Sequence, residues 1–524
     1  MWLRRTEKRR ETYEQEGIYG TIDQELQENI KKIQDVTGNS EDIIIRRFLL
    51  GKEDTFPAVF CFVSGIVDEN MVQHLLLELS VQLSFPSADC DKMDYIEQKI
   101  ASANTTGRIQ QWNEVFSSLM SGEVVLFIHG MQEALRIGVK GGEYRAIAEP
   151  STQLTIRGPR EGFTESLATN IAMVRRRVQN PHVWVESITI GEVTQTNVRI
   201  MYIKGIANEK IVGEVRERLH RICLDGVLES GYIEQLIEDE PFTTFPTIYH
   251  TERPDSVAAN LLEGRVAIFV EGTPFVLIVP AVFIQFFQAV EDYYARFDIA
   301  TALRFLRMLV FFISLVAPSV YIALTTFHQE MIPTSLVIAL AAQREAVPFP
   351  AFIEAILMEV TFEILREAGV RLPRAVGQAV SIVGALVIGQ AAVEAGFVSS
   401  AMVIVVSITA IASFATPSFA IAISARLIRF ALMILAALFG FYGILMGIIC
   451  MVIHLCSLRS FGVPYMAPLA PLVPSNLRDT FVRFPLWALN ERPRLINKKN
   501  VTRQEGGQRP KPPHHQTEEE GDGN

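Results

Sequence analysis

Hydrophobic and polar positions follow two different patterns along the chain. Up to about residue 255 the period changes repeatedly, whereas residues 305–456 are mostly Val, Ile, Leu, Ala, Phe and Gly. In the first part, short apolar runs at Asp42–Leu50, Pro57–Val63 and Glu123–Ile128 predict strands. Helical spacing predicts helices at about Asn70–Leu83 and Arg108–Leu119. Residues 140–162, with Gly141-Gly142, Pro150 and Gly158-Pro159, read as a hinge or connecting loop. A second unit follows. Its expected elements are a helix over Phe163–Arg177, strands at Trp184–Ile190 and Asn197–Ile203, and a helix over Glu209–Cys223. Arg265–Val270 and Phe275–Val279 read as a hairpin about Gly272-Thr273-Pro274, and Glu271 makes that stretch a poor membrane span.

The apolar part predicts membrane helices. Met308–Phe327 is one, with Pro318 as a candidate kink, and Ala375–Val393 is a second. Val398–Ile423 is a third, broken by Pro417. Ile332–Ala342 is too short to span and reads as re-entrant or interfacial. Leu427–Cys456 is long for one span, either a tilted helix or a tight hairpin around Gly440-Phe441-Tyr442-Gly443. Arg296, Arg304 and Arg307, then Arg366, Arg371 and Arg374, Arg426 and Arg429, and Arg459 mark inner ends of these segments. His328–Thr334 and Glu394–Ser400 lack Lys and Arg and are expected outside. These marks leave the parity of crossings open.

The expected fold is an α/β cytoplasmic N-terminal region of two small subdomains, followed by an all-α polytopic membrane domain. A charged segment (1–40) precedes subdomains over 41–145 and 146–255. A hairpin and interfacial connector (256–304) leads into the transmembrane domain (305–458). A membrane-proximal segment (459–496) and a tail disordered by composition (497–524) complete the chain.

Composition narrows the function. The net charge of −10 argues against nucleic acid as a partner. The five cysteines are scattered without a CxxC pair, so neither a disulfide framework nor a zinc site is expected. Met1–Arg5 runs into further charge, and no cleavable signal is read there. No Walker loop, G-x-S-x-G elbow or H-E-x-x-H motif occurs, so neither an enzyme nor a cofactor is expected.

Several runs are specific enough to compare with a family. They are Arg157–Phe163 (RGPREGF), Thr251–Asp255 (TERPD), Leu261–Ala267 (LLEGRVA) and Glu271–Pro274 (EGTP). Pro348-Phe349-Pro350, Arg366–Pro373 (REAGVRLP) and Ser381–Ala395 (SIVGALVIGQAAVEA) extend the series. Across roughly residues 40–485 the chain resembles the A subunits of the GerA family of spore germination receptors. The resemblance implies a multi-pass protein of the spore inner membrane. It implies a homo-oligomeric ring with a central pore, a transporter-like B subunit that senses nutrient, and a lipoprotein C subunit. Ion release would then start germination. Pro159 favours a nutrient-receptor A subunit over the stage V paralogue of the same superfamily.

Candidate residues follow for a channel. Val376, Val380, Val383, Val387, Gln390 and Glu394 recur at spacings of three and four. Around a ring axis they give stacked valine rings ending in Gln and Glu, an apolar gate with an acidic mouth. Gly377, Ser381, Ala385 and Gly389 form a small-residue stripe suited to close helix packing. Glu359, Glu363 and Glu367 share a helix face and are candidates for an acidic vestibule. Arg157 and Arg160 are candidates for a subdomain or subunit contact. Two rival readings remain open: a non-conducting scaffold that docks a transporter-like sensor, and a secondary transporter, for which no internal repeat is visible.

Overall fold

A computed structural model describes residues 18–52, 55–83, 92–101, 104–141, 149–150, 152–371, 389–497, 500–504 and 506–510. The first subdomain contains α1 (Leu26–Thr37), β1 (Ile43–Leu50), β2 (Phe56–Val63), α2 (Glu69–Leu77) and α3 (Lys92–Ala101). It continues with β3 (Thr106–Ile109), α4 (Trp112–Met120), β4 (Glu123–Ile128) and β5 (Ala134–Gly138). Its antiparallel sheet has the order β1-β2-β4-β5-β3. Both faces are covered. Val59, Cys61, Val63, Val125 and Phe127 pack against α1 and α4, while Ala58, Phe60, Phe62, Val124 and Leu126 pack against α2 and α3. That double burial is why β2 and β4 read as unbroken apolar runs. The helix expected from Arg108 starts at Trp112 instead, because Thr106–Ile109 pairs as an edge strand with β5.

The second subdomain is built alike, from α5 (Leu167–Arg177), β6 (Val183–Ile190), β7 (Thr196–Ile203), α6 (Glu209–His220) and α7 (Ser230–Ile237). Next come β8 (Tyr249–Thr251), α8 (Pro254–Leu262), β9 (Val266–Val270) and β10 (Val276–Val279). The antiparallel order is β6-β7-β9-β10-β8. The expected hairpin is present as β9 and β10, but β9 pairs with β7, so it supplies the middle of this sheet rather than a separate connector. α5 and α8 cover one face. α6 and α7 cover the other, and that core runs on without a break to Phe311, Leu315, Ile421 and Leu455 of the helical region.

The subdomains are locked by a buried ion pair. Arg175 of α5 reaches Asp42 at 2.6 Å, and its guanidinium also donates to Ser40 Oγ at 3.1 Å. Both charged side chains are almost fully buried. Burial alone would push the Asp42 carboxyl up, but the Arg175 charge and hydrogen bonds outweigh it and hold the group below its ordinary value.

The helical region comprises α9 (Glu291–Tyr294), α10 (Phe297–Thr326), α11 (Thr334–Arg344), α12 (Ala351–Arg371), α13 (Ser400–Phe414) and α14 (Phe419–Ser457). α10 and α14 are long and apolar enough to cross a membrane. α10 runs on through the buried Pro318. The expected third span ends at Phe414, and Pro417 sits in the turn before α14, so Ile423 belongs to the next helix. α14 is the hairpin alternative. Its helical geometry breaks at Gly440, with φ 58° and ψ −139°. A Cβ added to Gly447 would meet Leu432 and Leu435, so the arms run antiparallel. A Cβ on Gly440 would come within 2.7 Å of His328, at the far end of α10.

At the foot of the hairpin, Ser424 Oγ donates to the Thr244 carbonyl and Thr243 Oγ1 bonds His454 Nε2 at 2.9 Å. Ser460 Oγ donates to the Thr247 carbonyl at 2.7 Å. The chain thus enters the bundle at Phe297 and leaves it after Ser457 at the same end.

Asp42→Asn is expected to destabilise the subdomain interface by about 3–5 kcal/mol, because it strands a buried guanidinium. The depressed Asp42 carboxyl contributes stability that is present above its ordinary value of 3.8 and lost as pH falls through the lower folded-state value. Denaturant melts of the full chain in detergent, from neutral to acid pH, should therefore lose part of their acid dependence in the variant.

Candidate functional site

The runs RGPREGF and TERPD, far apart in sequence, form one structure. Arg253 is fully buried and uses its whole guanidinium. It holds Asp255 through two bonds of 3.1 and 2.7 Å. Its remaining donors reach the Gln153 carbonyl at 3.0 Å, Thr155 Oγ1 at 3.1 Å and the Pro159 carbonyl at 2.9 Å. Glu252 Oε1 accepts from Thr152 Oγ1 at 2.6 Å and the Gln153 amide at 3.1 Å. Thr251 Oγ1 donates to Gln153 Oε1 at 2.7 Å. A loop without regular structure is thereby fixed by side chains at the start of α8, where Pro254 occupies the first turn and gives up no needed donor.

The one-turn helix α9 carries this arrangement to the bundle. Its four consecutive side chains each bind a different segment. Glu291 accepts from the Ile156 amide of the loop. Asp292, fully buried, accepts from Arg304 Nε at 2.9 Å and from Arg307 Nη1 at 2.7 Å, both on α10. Tyr293 donates to Asp479 of the C-terminal segment at 2.8 Å. Tyr294 donates to Asp255 at 2.7 Å, and burial together with Asp255 pushes its phenol up. Arg304 closes the circuit with a 2.9 Å bond to Asp479. Gly158 faces the Tyr294 ring with φ +134°, and an added Cβ would lie 2.7 Å from it. Only glycine fits that approach.

This joint makes no covalent chemistry available. It links four segments through four charged or hydroxyl groups, of which Asp292 is fully buried and the others half-buried. Arg304 and Arg307, expected to mark the inner end of the first span, pair with Asp292, and Arg304 also with Asp479.

The other candidate residues fall in several places. Val376, Val380, Val383, Val387, Gly377, Ser381 and Ala385 lie outside the described residues. Gly389 is buried, and a Cβ there would contact Val403 at 3.7 Å. Gln390 and Glu394 are exposed and joined by a 2.9 Å hydrogen bond. The expected vestibule row is altered by arginines. Glu359 is buried on Arg429 at 2.8 Å, Glu363 meets Arg366 and Arg426, and Glu367 pairs with Arg371 at 2.7 Å. Glu359 is therefore closed off from water, because α12 packs it against α14. Arg157 and Arg160 remain exposed on the loop, and Arg160 lies 3.4 Å from Glu149.

A family model described as Bacillus/Clostridium GerA spore germination protein matches residues 31–495. This chain belongs to the GerA family. Spore germination protein KA of Bacillus subtilis (strain 168) is 58% identical over 94% of this chain and 90% of its own length. Spore germination protein GerLA of Bacillus cereus is 39% identical over 91% and 96%. The crystal structure of the N-terminal domain of the A subunit of the Bacillus megaterium spore germinant receptor GerK3 is 44% identical, with a TM-score of 0.41. It covers 51% of this chain and 99% of that one. In this GerA-family chain the joint was hidden from sequence reading because its partners are far apart: Asp292 and Asp479 are separated by 187 positions. The visible trace was the pair Arg304 and Arg307, spaced to share a helix face.

Asp292→Asn should leave two arginines without their buried acid, a loss of about 3–5 kcal/mol. Hydrogen exchange on the full chain in detergent should show faster exchange at residues 297–307 while β2 and β4 keep their protection.

Proposed function

We propose that this GerA-family chain is the A subunit of a nutrient germinant receptor of the spore inner membrane and forms a homo-oligomeric cation channel. Its soluble region lies on the cytoplasmic side. A transporter-like B subunit and a lipoprotein C subunit complete the receptor, and nutrient binding on a partner opens the pore. The α9 joint is the observation that carries this reading. It ties the loop, the first long apolar helix and the C-terminal segment into one unit, as a gate driven from outside the bundle requires. The pore is assigned to the valine stripe of Ala375–Val393, with Val383 and Val387 at the constriction. With Glu359, Glu363 and Glu367 each facing an arginine, the acidic mouth rests on Glu394 beside Gln390.

Val383→Ser and Val387→Ser, made singly in spores, should raise nutrient-independent cation release severalfold at normal protein levels, because a wetted constriction no longer blocks ions. Unchanged flux and normal triggering would remove this helix face from the pore and favour the scaffold reading.

A further inference from the structure

A stripe of exposed apolar side chains climbs one face of the second subdomain from the foot of the bundle. Phe242 is 94% exposed and adjoins Thr243 and Thr244, which hold His454 and Ser424. Leu236 and Tyr232 continue the stripe along α7, both exposed and four residues apart. Just before α7, Glu229 is bound to Thr273, in the turn of the β9–β10 hairpin. Arg218, which holds the Ile237 carbonyl at the other end of α7, stacks on Phe461 just beyond α14. The helix is thus tied at one end to the β9–β10 turn and at the other, through Arg218, to the residue just beyond α14.

The stripe is acidic. Residues 222–249 contain six carboxylates and no Lys or Arg. Asp239 is neutralised by Arg218, while Glu229, Glu234, Glu238 and Glu240 stay near the stripe. Burial, and then Glu238 and Glu229, push the Glu234 carboxyl up to about 7.

The opposite face of the same sheet carries a complementary patch. α7 packs in the core shared with the bundle, whereas Phe163 and α8, which hold the joint's loop, pack on the other side. That loop exposes Ile156 (93%) and Leu154 beside the exposed Arg157 and Arg160. Arg157 has no acidic partner among the described residues, and the Arg160–Glu149 pair is itself exposed. Two acids lie at this loop: Glu291 accepts from the Ile156 amide, and Glu161 is neutralised by Arg177. A twofold contact through the stripe would set acid against acid. A head-to-tail contact sets acid against arginine and apolar against apolar.

We propose that adjacent copies of this chain meet head to tail, the Tyr232–Leu236–Phe242 stripe of one copy against the Leu154–Arg160 loop of the next. This rests on the oligomeric reading above and names the surfaces that build it. The contact places each neighbour directly on the loop gripped by Arg253 and Glu291, so the joints of successive subunits are linked around the ring.

The test is cysteine crosslinking of the full chain in spore membranes, with Cys90, Cys223, Cys450 and Cys456 first changed to serine, leaving only the buried Cys61. Ile156→Cys combined with Leu236→Cys should give a ladder of covalent multimers under mild oxidation, and neither single variant should. Arg157→Glu with Arg160→Glu should lower the crosslinked fraction about tenfold or more, since like charges across an interface are strongly disfavoured. Glu238→Arg with Glu240→Arg added should restore it. No ladder from a chain that native mass spectrometry finds multimeric would overturn this interface while leaving the oligomeric reading intact. A monomer in native mass spectrometry and no ladder would overturn both. A covalent dimer from either single variant would replace the head-to-tail contact with a twofold one.

Discussion

A carboxylate removed from water at the foot of an apolar helix is costly without strong partners, and Asp292 has two arginines, one of them shared with Asp479. That constraint organises the molecule. It fixes the first turns of α10 against α9, and α9 is fixed in turn by Glu291, Tyr293 and Tyr294 to the loop, the C-terminal segment and Asp255. Separating α9 from α10 would leave the buried Asp292 without either counter-charge. The segments therefore move as a unit or through a discrete change of partners. Packed ionic clusters are suited to two-position switching because intermediate positions satisfy neither set of bonds.

Packing reinforces the same coupling by a second route. The core on the α6–α7 face of the second sheet continues into the bundle through Phe283, Phe287 and Phe311, whose rings meet at 5.0 to 6.3 Å. The first subdomain joins this body through the Arg175–Asp42 pair and through Trp184, whose indole donates to the Val36 carbonyl at 3.1 Å. A displacement that starts in the first subdomain has a continuous dense path to the hairpin of α14, and dense interiors transmit strain.

Much of the fold was legible because burial on both sheet faces wrote continuous apolar runs into β2, β4, β9 and β10. The errors have local causes. β5 went unseen because Arg136 interrupts its apolar positions and lies opposite Gly107. Arg108 was assigned to a helix because Ile109, Trp112, Phe116 and Leu119 keep helical spacing across a strand boundary. The hairpin was assigned to a separate connector from residue 256, whereas β9 pairs with β7 and the Glu271 carboxylate accepts from the Leu167 amide at the start of α5. The ion pairs of the joint and of α12 with α14 could not be read at all. Charge pairing across long separations leaves no period in a sequence.

The arginines of α12 and α14 bear on how such a bundle can conduct. Arg429 and Glu359 are mutually buried, and Arg426 faces Glu363 one turn away. Taken singly, each charge would be costly in an apolar bundle; as pairs they neutralise one another and fix the register of α12 on α14. A row of carboxylates so occupied offers little negative field to a passing cation, because each field is cancelled within a few ångströms. In the channel proposed above, selectivity would come from groups left open to water, and among the candidate acids of the described residues Glu394 meets that condition without an arginine partner. In that proposed channel, the same arginines that stabilise the bundle would leave Glu394, exposed and bonded to Gln390, as the acid for its mouth.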